Sequence, residues 1–283
     1  MTMQPVLDAH MHLDPRGTNR TAVRAFLKEG GTHLIIVHKP YDDIPLSYTS
    51  DYAKAFDMTE RLTLMAREVG AKAWCVIGPY PGELPHLADR FGLGQAIDLQ
   101  RSALKEAASR VGNGTVIGLG EIGRVHFPVK EEVQAGCDQL LAEAFSMCSE
   151  LDCCAVLHTE SPRDNPGLMS HLACICDEAG LSRSRAVKHY SGGEMADPAL
   201  NMGLTPSVLA TKENLTRALS KKAPFLMETD FIDEPSRPNV VLPPDTVPKK
   251  IRWMLSRGLM DEEMHHRLMV DLPASAMGLE VSL

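Results

Sequence analysis

Short apolar runs alternate with longer amphipathic stretches along the whole chain of 283 residues. The apolar runs are partly β-branched and are bounded by Gly, Pro or Asp, which is typical of buried parallel strands. The predicted strands are 4–9, 32–38, 71–77, 115–121, 154–158, 185–190, 201–206 and 224–230. Between them the spacing of apolar residues follows the helical period. The predicted helices are 18–29, 57–69, 98–111, 129–151, 168–179, 212–222 and 248–257.

This alternation predicts the fold class. Eight strand–helix units in a chain of this length are typical of an α/β protein that folds as a single (β/α)₈ TIM barrel. We therefore expect one barrel domain over residues 1–283. The seventh strand has the weakest pattern, because 201–205 is hardly hydrophobic.

Metal-ligand residue types recur at the ends of the predicted strands. His10 and His12 follow the first apolar run, and residues i and i+2 of a strand point to the same side. Four later strands run into Glu121, His158, His189 and Asp230. A lone histidine is often structural, and a lone aspartate can simply cap a helix. Barrels, however, bring their C-terminal strand ends to one mouth, so the joint pattern predicts a shared metal centre.

Five motifs in this order resemble the TatD-related hydrolases, within the amidohydrolase-like superfamily of metal-dependent barrels. They are segments 8–12, 120–123, 158, 189–192 and 228–230, and the resemblance extends from residue 7 to about residue 232. It implies that His10, His12 and Asp230 hold one ion, that His158 and His189 hold a second, and that Glu121 bridges them. It also implies that Asp230 acts as general base. Phosphotriesterase-like relatives bridge their ions with a carboxylated lysine, so Glu121 favours the TatD branch.

The ligand types limit the choice of metal. Imidazole suits zinc and other first-row ions, whereas carboxylates suit harder ions. We expect one or two divalent ions, with Zn²⁺ favoured over Mn²⁺ and Mg²⁺. The residue types leave open whether one ion binds or two.

Several departures from the nuclease pattern indicate a divergent subgroup. The acidic residue that usually follows the Glu motif is missing at 123–126, and Glu160 stands where the nucleases tend to carry a Ser-Arg pair. A carboxylate there would repel a phosphodiester unless a metal or a lysine masks it. The net charge is −8, from 29 Lys plus Arg against 37 Asp plus Glu, and aromatic residues make up 5%. Nucleic-acid binding normally needs a basic surface, so a small-molecule or phosphoester substrate is favoured.

Other polar residues near strand ends are candidates for substrate binding. Arg124 could grip a substrate oxyanion, His126 could protonate a leaving group, and His38 closes the second strand. Alternation along the sixth strand should turn Lys188 away from the metals. Three long connections, 39–56, 78–95 and 231–248, should shape the mouth, and the last, with five prolines, could form a stiff lid.

The cysteine count and the apolar runs of the chain bear on its cellular compartment. Seven cysteines, an odd number, and the absence of a secretory leader pattern favour a cytoplasmic location, and no apolar run is long enough to span a membrane.

We expect a metal-dependent hydrolase in which an activated water attacks an ester, amide or phosphoester bond. One alternative is a TatD-like deoxyribonuclease, which requires lysines and arginines within reach of the ions. A second is a non-catalytic metal- or ligand-binding barrel, which the intact Asp230 disfavours. The oligomeric state stays open.

Overall fold

The computed structural model describes residues 4–237 and 240–282, in which nine strands form one parallel sheet. The strands are β1 (Leu7–His12), β2 (His33–Val37), β3 (Lys72–Ile77), β4 (Val116–Gly123), β5 (Cys154–His158), β6 (Ala186–Ser191), β7 (Thr205–Leu209), β8 (Leu226–Glu228) and β9 (Phe231–Ile232). Their order is β8-β7-β6-β5-β4-β3-β2-β1-β9, so β1 to β8 lie side by side in the order of the sequence and β9 pairs with β1.

The sheet closes into a barrel between its last strands and its first. β8 pairs with β7, β9 pairs with β1, and only Thr229 and Asp230 separate β8 from β9. The backbone N–H of Asp230 donates to the carbonyl of His10 at 3.0 Å. The predicted (β/α)₈ fold is confirmed, and the predicted strand 224–230 is an eighth strand that breaks at this point.

Helices follow the strands around the barrel. They are α1 (Arg20–Lys28), α2 (Thr49–Val69), α3 (Glu83–Phe91), α4 (Leu93–Ala108), α5 (Glu131–Glu150), α6 (Leu168–Glu178), α7 (Pro198–Asn201), α8 (Lys212–Ser220), α9 (Thr246–Ser256), α10 (Glu262–His266) and α11 (Leu272–Met277). Helix α11 and the π-helical turn Arg267–Asp271 that precedes it were not predicted.

Two of the three predicted long connections are shorter than expected. The helix predicted at 57–69 begins at Thr49, because the Asp51 carboxylate accepts the backbone N–H groups of Ser47 and Tyr48 and so caps it. Helix α3 occupies much of 78–95, and Gly92, at φ +84°, separates it from α4 and interrupts the helical period. Residues 238 and 239 of the expected lid lie outside the described residues.

The seventh strand lies three to four residues later than predicted. Residue 201, where the strand was predicted to begin, is the last residue of α7, which has Pro198 in its first turn and the Asp197 carboxylate accepting the N–H of Ala199. The strand then begins at Thr205. A weakly hydrophobic segment therefore took the structure that its capping residues favour.

Both faces of the barrel wall are apolar. In β2, Leu34 and Ile36 belong to the buried cluster shared with helices α1 to α6, whereas Ile35 and Val37 belong to a second cluster that includes α8 and α9. A strand buried on both faces reads as a continuous apolar run rather than as an alternating one. Within the described residues, no helix has both the length and the apolar character needed to cross a bilayer.

Candidate metal centre

The three ligands predicted for the first ion are His10, His12 and Asp230, and their polar atoms lie together at the mouth of the barrel. His10 Nε2 is 3.1 Å from His12 Nε2 and 3.7 Å from Asp230 Oδ1. His12 Nε2 is 3.4 Å from the same Asp230 oxygen. The two imidazoles therefore face one point, as the His-x-His spacing predicts.

Glu121 connects this group with the other two histidines. Its Oε1 lies 2.8 Å from His189 Nε2, 3.2 Å from His158 Nδ1 and 3.5 Å from His10 Nε2. His158 Nδ1 is in turn 3.1 Å from His189 Nε2. All six predicted side chains thus meet, although they span residues 10 to 230 of the chain.

Close packing between β4 and β5 sets the position of Glu121. A Cβ at Gly120 would lie 2.7 Å from Val156 Cβ, and a Cβ at Gly123 would lie 2.3 Å from the carbonyl oxygen of His158. Gly123 also has φ +134°, which side chains rarely adopt. Glycines on both sides of Glu121 therefore let β4 approach β5 closely enough for the carboxylate to reach His158.

The strand break at Asp230 is held by the first motif of the chain. Asp8 accepts the N–H of Thr229 at 3.0 Å and its hydroxyl at 2.6 Å. Asp230 itself has φ +47°, an uncommon conformation for a residue other than glycine. Burial raises the pKa of Asp8 to about 7, against the hydrogen bonds from Thr229, which lower it. Asp8 is thus a positioning residue that sequence reasoning did not single out.

Glu228 lies beneath two of the histidines, and no role was predicted for this residue from the sequence. Its Oε2 is 4.0 Å from His10 Nδ1, and its Oε1 is 3.7 Å from His189 Nδ1. Among the described residues, neither Nδ1 atom has a hydrogen-bond partner. The carboxylate is held by the backbone N–H of Tyr190 at 2.5 Å and by the hydroxyl of Ser207. One buried carboxylate can therefore orient the rings of two proposed ligands.

We expect the substitution Glu228→Gln to weaken metal binding by about 10–100-fold, the usual cost of losing an outer carboxylate. The amide keeps the shape of the side chain but removes the charge that faces both Nδ1 atoms. Competition with a chromogenic chelator measures the affinity. The control is Glu143→Gln, which changes a carboxylate paired with Arg101 on the outer helices. Equal affinity of Glu228→Gln and the unmodified protein would show that Glu228 does not support the ligands.

The charges of the centre are strongly coupled. Burial and the neighbouring His189 hold the pKa of His10 well below its usual range. Burial alone would raise the pKa of Glu121 and lower that of His189. Their mutual attraction reverses both shifts, lowering the pKa of Glu121 well below its usual value and raising that of His189 to about 10. Without metal, the centre therefore holds a carboxylate beside a protonated imidazole at neutral pH.

The three predicted substrate residues have different surroundings. His126 Nδ1 lies 2.7 Å from His158 Nε2, so His126 adjoins the centre. Arg124 donates to Glu160 at 3.0 Å and to Asp138, so its guanidinium already has acidic partners. Glu160 is thereby masked by an arginine, which the sequence did not suggest. The substrate roles of these residues stay predictions.

His38 is buried, with the rings of Phe56 and Tyr41 against its imidazole. Its Nδ1 lies 2.8 Å from Thr59 Oγ1, and its Nε2 has no hydrogen-bond partner among the described residues. Burial lowers the pKa of His38 to about 3; His12 and Lys39 lower it further, and Glu121 raises it. A side chain so enclosed has no observed path to substrate.

The buried His38 predicts loss of stability in acid. The unfolded chain takes up a proton at this imidazole below about pH 6.5, and the folded chain does so only near pH 3, so the free energy of unfolding falls as pH drops through this window. We expect His38 to account for a loss of about 2 kcal/mol between pH 7 and pH 5. Urea unfolding of chelator-treated protein measures it. Between pH 7 and pH 5, the free energy of unfolding of the His38→Gln variant should fall by about 2 kcal/mol less than that of the unmodified protein. A variant of the exposed His86 should show the same fall as the unmodified protein. Equal losses in all three proteins would contradict the assignment.

A cavity of about 960 Å³ opens beside the centre, with His158, His189 and Asp230 in its wall. Lys188 also lines it, contrary to the prediction that alternation turns this lysine away from the metals. The pairing register of β6 shifts between Lys188 and Ser191, and Tyr190 has φ +52°, so the regular alternation ends here. Burial lowers the pKa of Lys188 to about 8, against the attraction of Glu228.

Comparisons with known proteins agree with this architecture. The family described as TatD related DNase matches residues 7–272. The uncharacterized protein MJ1127 of Methanocaldococcus jannaschii is 30% identical over 263 residues, which make up 92% of this chain and 90% of that protein.

Solved structures show the same fold at low sequence identity. The TatD homologue YjjV of Escherichia coli K12 is similar with a TM-score of 0.64 and 18% identity, over 97% of this chain and 98% of that chain. The phosphotriesterase homology protein of E. coli, solved with phosphate in its active site, is similar with a TM-score of 0.62 and 11% identity, over 98% and 99% of the two chains. The match across residues 7–272 shows that this chain belongs to the TatD related DNase family of divalent-metal-dependent hydrolases.

Proposed function

We propose that this protein is a hydrolase that holds two divalent ions, the first with His10, His12 and Asp230 and the second with His158 and His189. Glu121 would bridge the two ions. The observation that carries the proposal is the convergence of these side chains from four strands and the β8–β9 break, with polar atoms 2.8–3.7 Å apart.

The donor set fits divalent ions. Four imidazoles and two carboxylates supply the nitrogen and oxygen ligands of zinc sites, and Mn²⁺ or Mg²⁺ would use the carboxylates. The Nδ1 atoms of His10 and His189, which have no hydrogen-bond partner in the part of the chain that the structure describes, face Glu228, as expected when the opposite ring nitrogens serve as ligands. When bound, such ions lower the pKa of water and stabilise charge on the attacked and leaving oxygens.

The chain's own residues would manage the proton. Asp230 lines the cavity and has one oxygen facing His10 and His12, so it is placed to accept a proton from the attacking water. Asp8 and Thr229 would keep its orientation through the strand break. His126, in the cavity wall beside His158, is our candidate for protonating the leaving group.

A deoxyribonuclease is the second candidate, because the family carries that description. It requires free cations near the centre, yet most cations at the strand ends already face carboxylates. These pairs are Arg16 with Asp42, Lys39 with Asp14, Arg124 with Glu160, Arg163 with Glu194 and Arg237 with Glu234. With a net charge of −8, this arrangement favours a small substrate over a nucleic acid.

The experiment is metal removal and replacement. Chelated protein is reloaded with Zn²⁺, Mn²⁺ or Mg²⁺ and assayed with bis(4-nitrophenyl) phosphate, 4-nitrophenyl acetate, a 4-nitroanilide and an end-labelled single-stranded oligonucleotide. We expect turnover of at least one small substrate that disappears with chelation and returns with metal. Cleavage of the oligonucleotide alone would favour the nuclease. Metal binding without turnover of any substrate would favour the non-catalytic barrel.

A further inference from the structure

The cavity beside the centre has the size of a small-molecule site. Its volume of about 960 Å³ lies at the upper end of the range that such sites usually have. It is built by the segments that follow β5, β6 and β7, and its inner wall contains His158, His189 and Asp230. A molecule bound here would therefore touch the proposed centre with one end only.

Lys188 supplies an unpaired positive charge in this cavity. Its side chain is 3% exposed, and its Nζ donates to the carbonyl of His189 at 2.6 Å. Across residues 4–237 and 240–282, no carboxylate oxygen lies within 4.0 Å of that Nζ, whereas Arg163 in the same wall pairs with Glu194 at 2.8 Å. A buried charge that no carboxylate contacts directly is unfavourable. The position would be stabilised by an anionic group of a ligand.

Apolar side chains share the cavity wall with Arg163, Asp164 and Glu194. They include Pro162, Met169, Met195, Leu200 and Met202. Leu200 and Met202 are 47% and 36% exposed, although large hydrophobic side chains are usually covered. Exposed apolar side chains that line a concave surface indicate a binding site for an apolar group.

Tyr190 adds an exposed aromatic ring to the same wall. It is 52% exposed and has φ +52°, an outlier for a bulky residue. The hydrogen bond from its backbone N–H to Glu228 holds this conformation. Strain of this kind is often kept at functional sites, where it sets the direction of a side chain.

We propose that this cavity binds the part of the substrate remote from the scissile bond, and that this part is an apolar group bearing one carboxylate or phosphate that pairs with Lys188. This inference rests on the proposed function for the position of the scissile bond. A single buried cation fits one anionic group, whereas a nucleic-acid strand would need a row of them.

The test uses non-hydrolysable probes and zinc-loaded protein. Calorimetry measures the binding of 4-phenylbutyrate, of 3-phenylpropylphosphonate and of the neutral 4-phenylbutan-1-ol. We expect at least one anion to bind more than about tenfold more tightly than the alcohol, the effect of a charged hydrogen bond. Lys188→Met should abolish this preference and Lys188→Arg should retain part of it. The control is Lys130→Met, since the Lys130 side chain is 81% exposed. Comparison of the two anions identifies the carboxylate or the phosphate as the recognised group.

The apolar half of the proposal has its own variant. Leu200→Asp, at a partly exposed position, should weaken the binding of all three probes by about tenfold without affecting folding. The proposal is overturned if no probe binds or if Lys188→Met keeps the preference for the anions. It is also overturned if Lys188→Met weakens the binding of the alcohol as much as the binding of the anions. Absence of turnover with every generic substrate would contradict the proposed function instead, and it would leave these binding results unchanged.

Discussion

Replacing Asp230 by asparagine should lower turnover by about 10³-fold, within the range that a positioned general base contributes. The amide keeps the shape of the side chain and one oxygen that can face His10 and His12. It cannot accept a proton from water at neutral pH. The loss should therefore appear in kcat rather than in substrate affinity.

Metal content must be measured in the same variant, because Asp230 is also a proposed ligand. Elemental analysis of loaded protein separates loss of the base, which leaves the ions in place, from loss of an ion. The matched control is Asp245→Asn, which changes a carboxylate paired with Lys249 on α9. Full turnover by Asp230→Asn with its metal retained would show that another group takes the proton.

The sequence predicted that these six side chains converge, because the direction of each one is local to its strand. The spacing of His10 and His12 determines that their side chains point the same way, and the barrel topology brings the other strand ends to the same mouth. Neither step requires knowledge of side-chain packing. The six residues were therefore brought together in the structure as expected.

The predicted orientation of Lys188 was wrong, because the direction of this side chain is not set within its own strand. Strict alternation holds only in a regular strand, and β6 loses its regularity between Lys188 and Ser191. The positive φ of Tyr190 depends on the contact with Glu228, which lies 38 residues away. No local pattern encodes such a contact. Residues that act through a distant partner, including Glu228 itself, were missed for this reason.

The surroundings of Glu160 give a third case. The sequence placed a carboxylate near the mouth, where it would repel a phosphate unless a metal or a lysine masked it. In the structure Arg124 and Asn165 both donate to it, at 3.0 Å each, so its charge is compensated. The sequence made Arg124 a candidate for binding the substrate and did not predict this pairing. The sequence shows the type of each residue and its position at a strand end. It does not show that Arg124 and Glu160, at the ends of two different strands, pair with each other.

Glu121→Gln should have the second large effect, with metal affinity reduced at least about 100-fold and turnover reduced about 10³-fold. Glu121 connects the two proposed groups of ligands, since its Oε1 lies 2.8–3.5 Å from nitrogens of His10, His158 and His189. An amide oxygen is a neutral and weaker ligand. The variant should bind fewer ions, which elemental analysis and competition with a chelator measure. Glu143→Gln again serves as control.

The metal-free protein provides an independent check of the same substitution. The raised pKa of His189, about 10, means that its charged form stabilises the folded state in full below about pH 6.5 and that this contribution is lost as pH rises toward 10. Because Glu121 contributes most to raising this pKa, ahead of Glu228, Glu121→Gln should be less stable than the unmodified protein by about 3–5 kcal/mol at pH 6, the cost of breaking a buried pair. The difference should shrink by pH 9. Chelator-treated proteins unfolded in urea at both pH values would test this. A difference that did not depend on pH would mean that Glu121 supports the fold through packing alone and that the centre is not built around its charge.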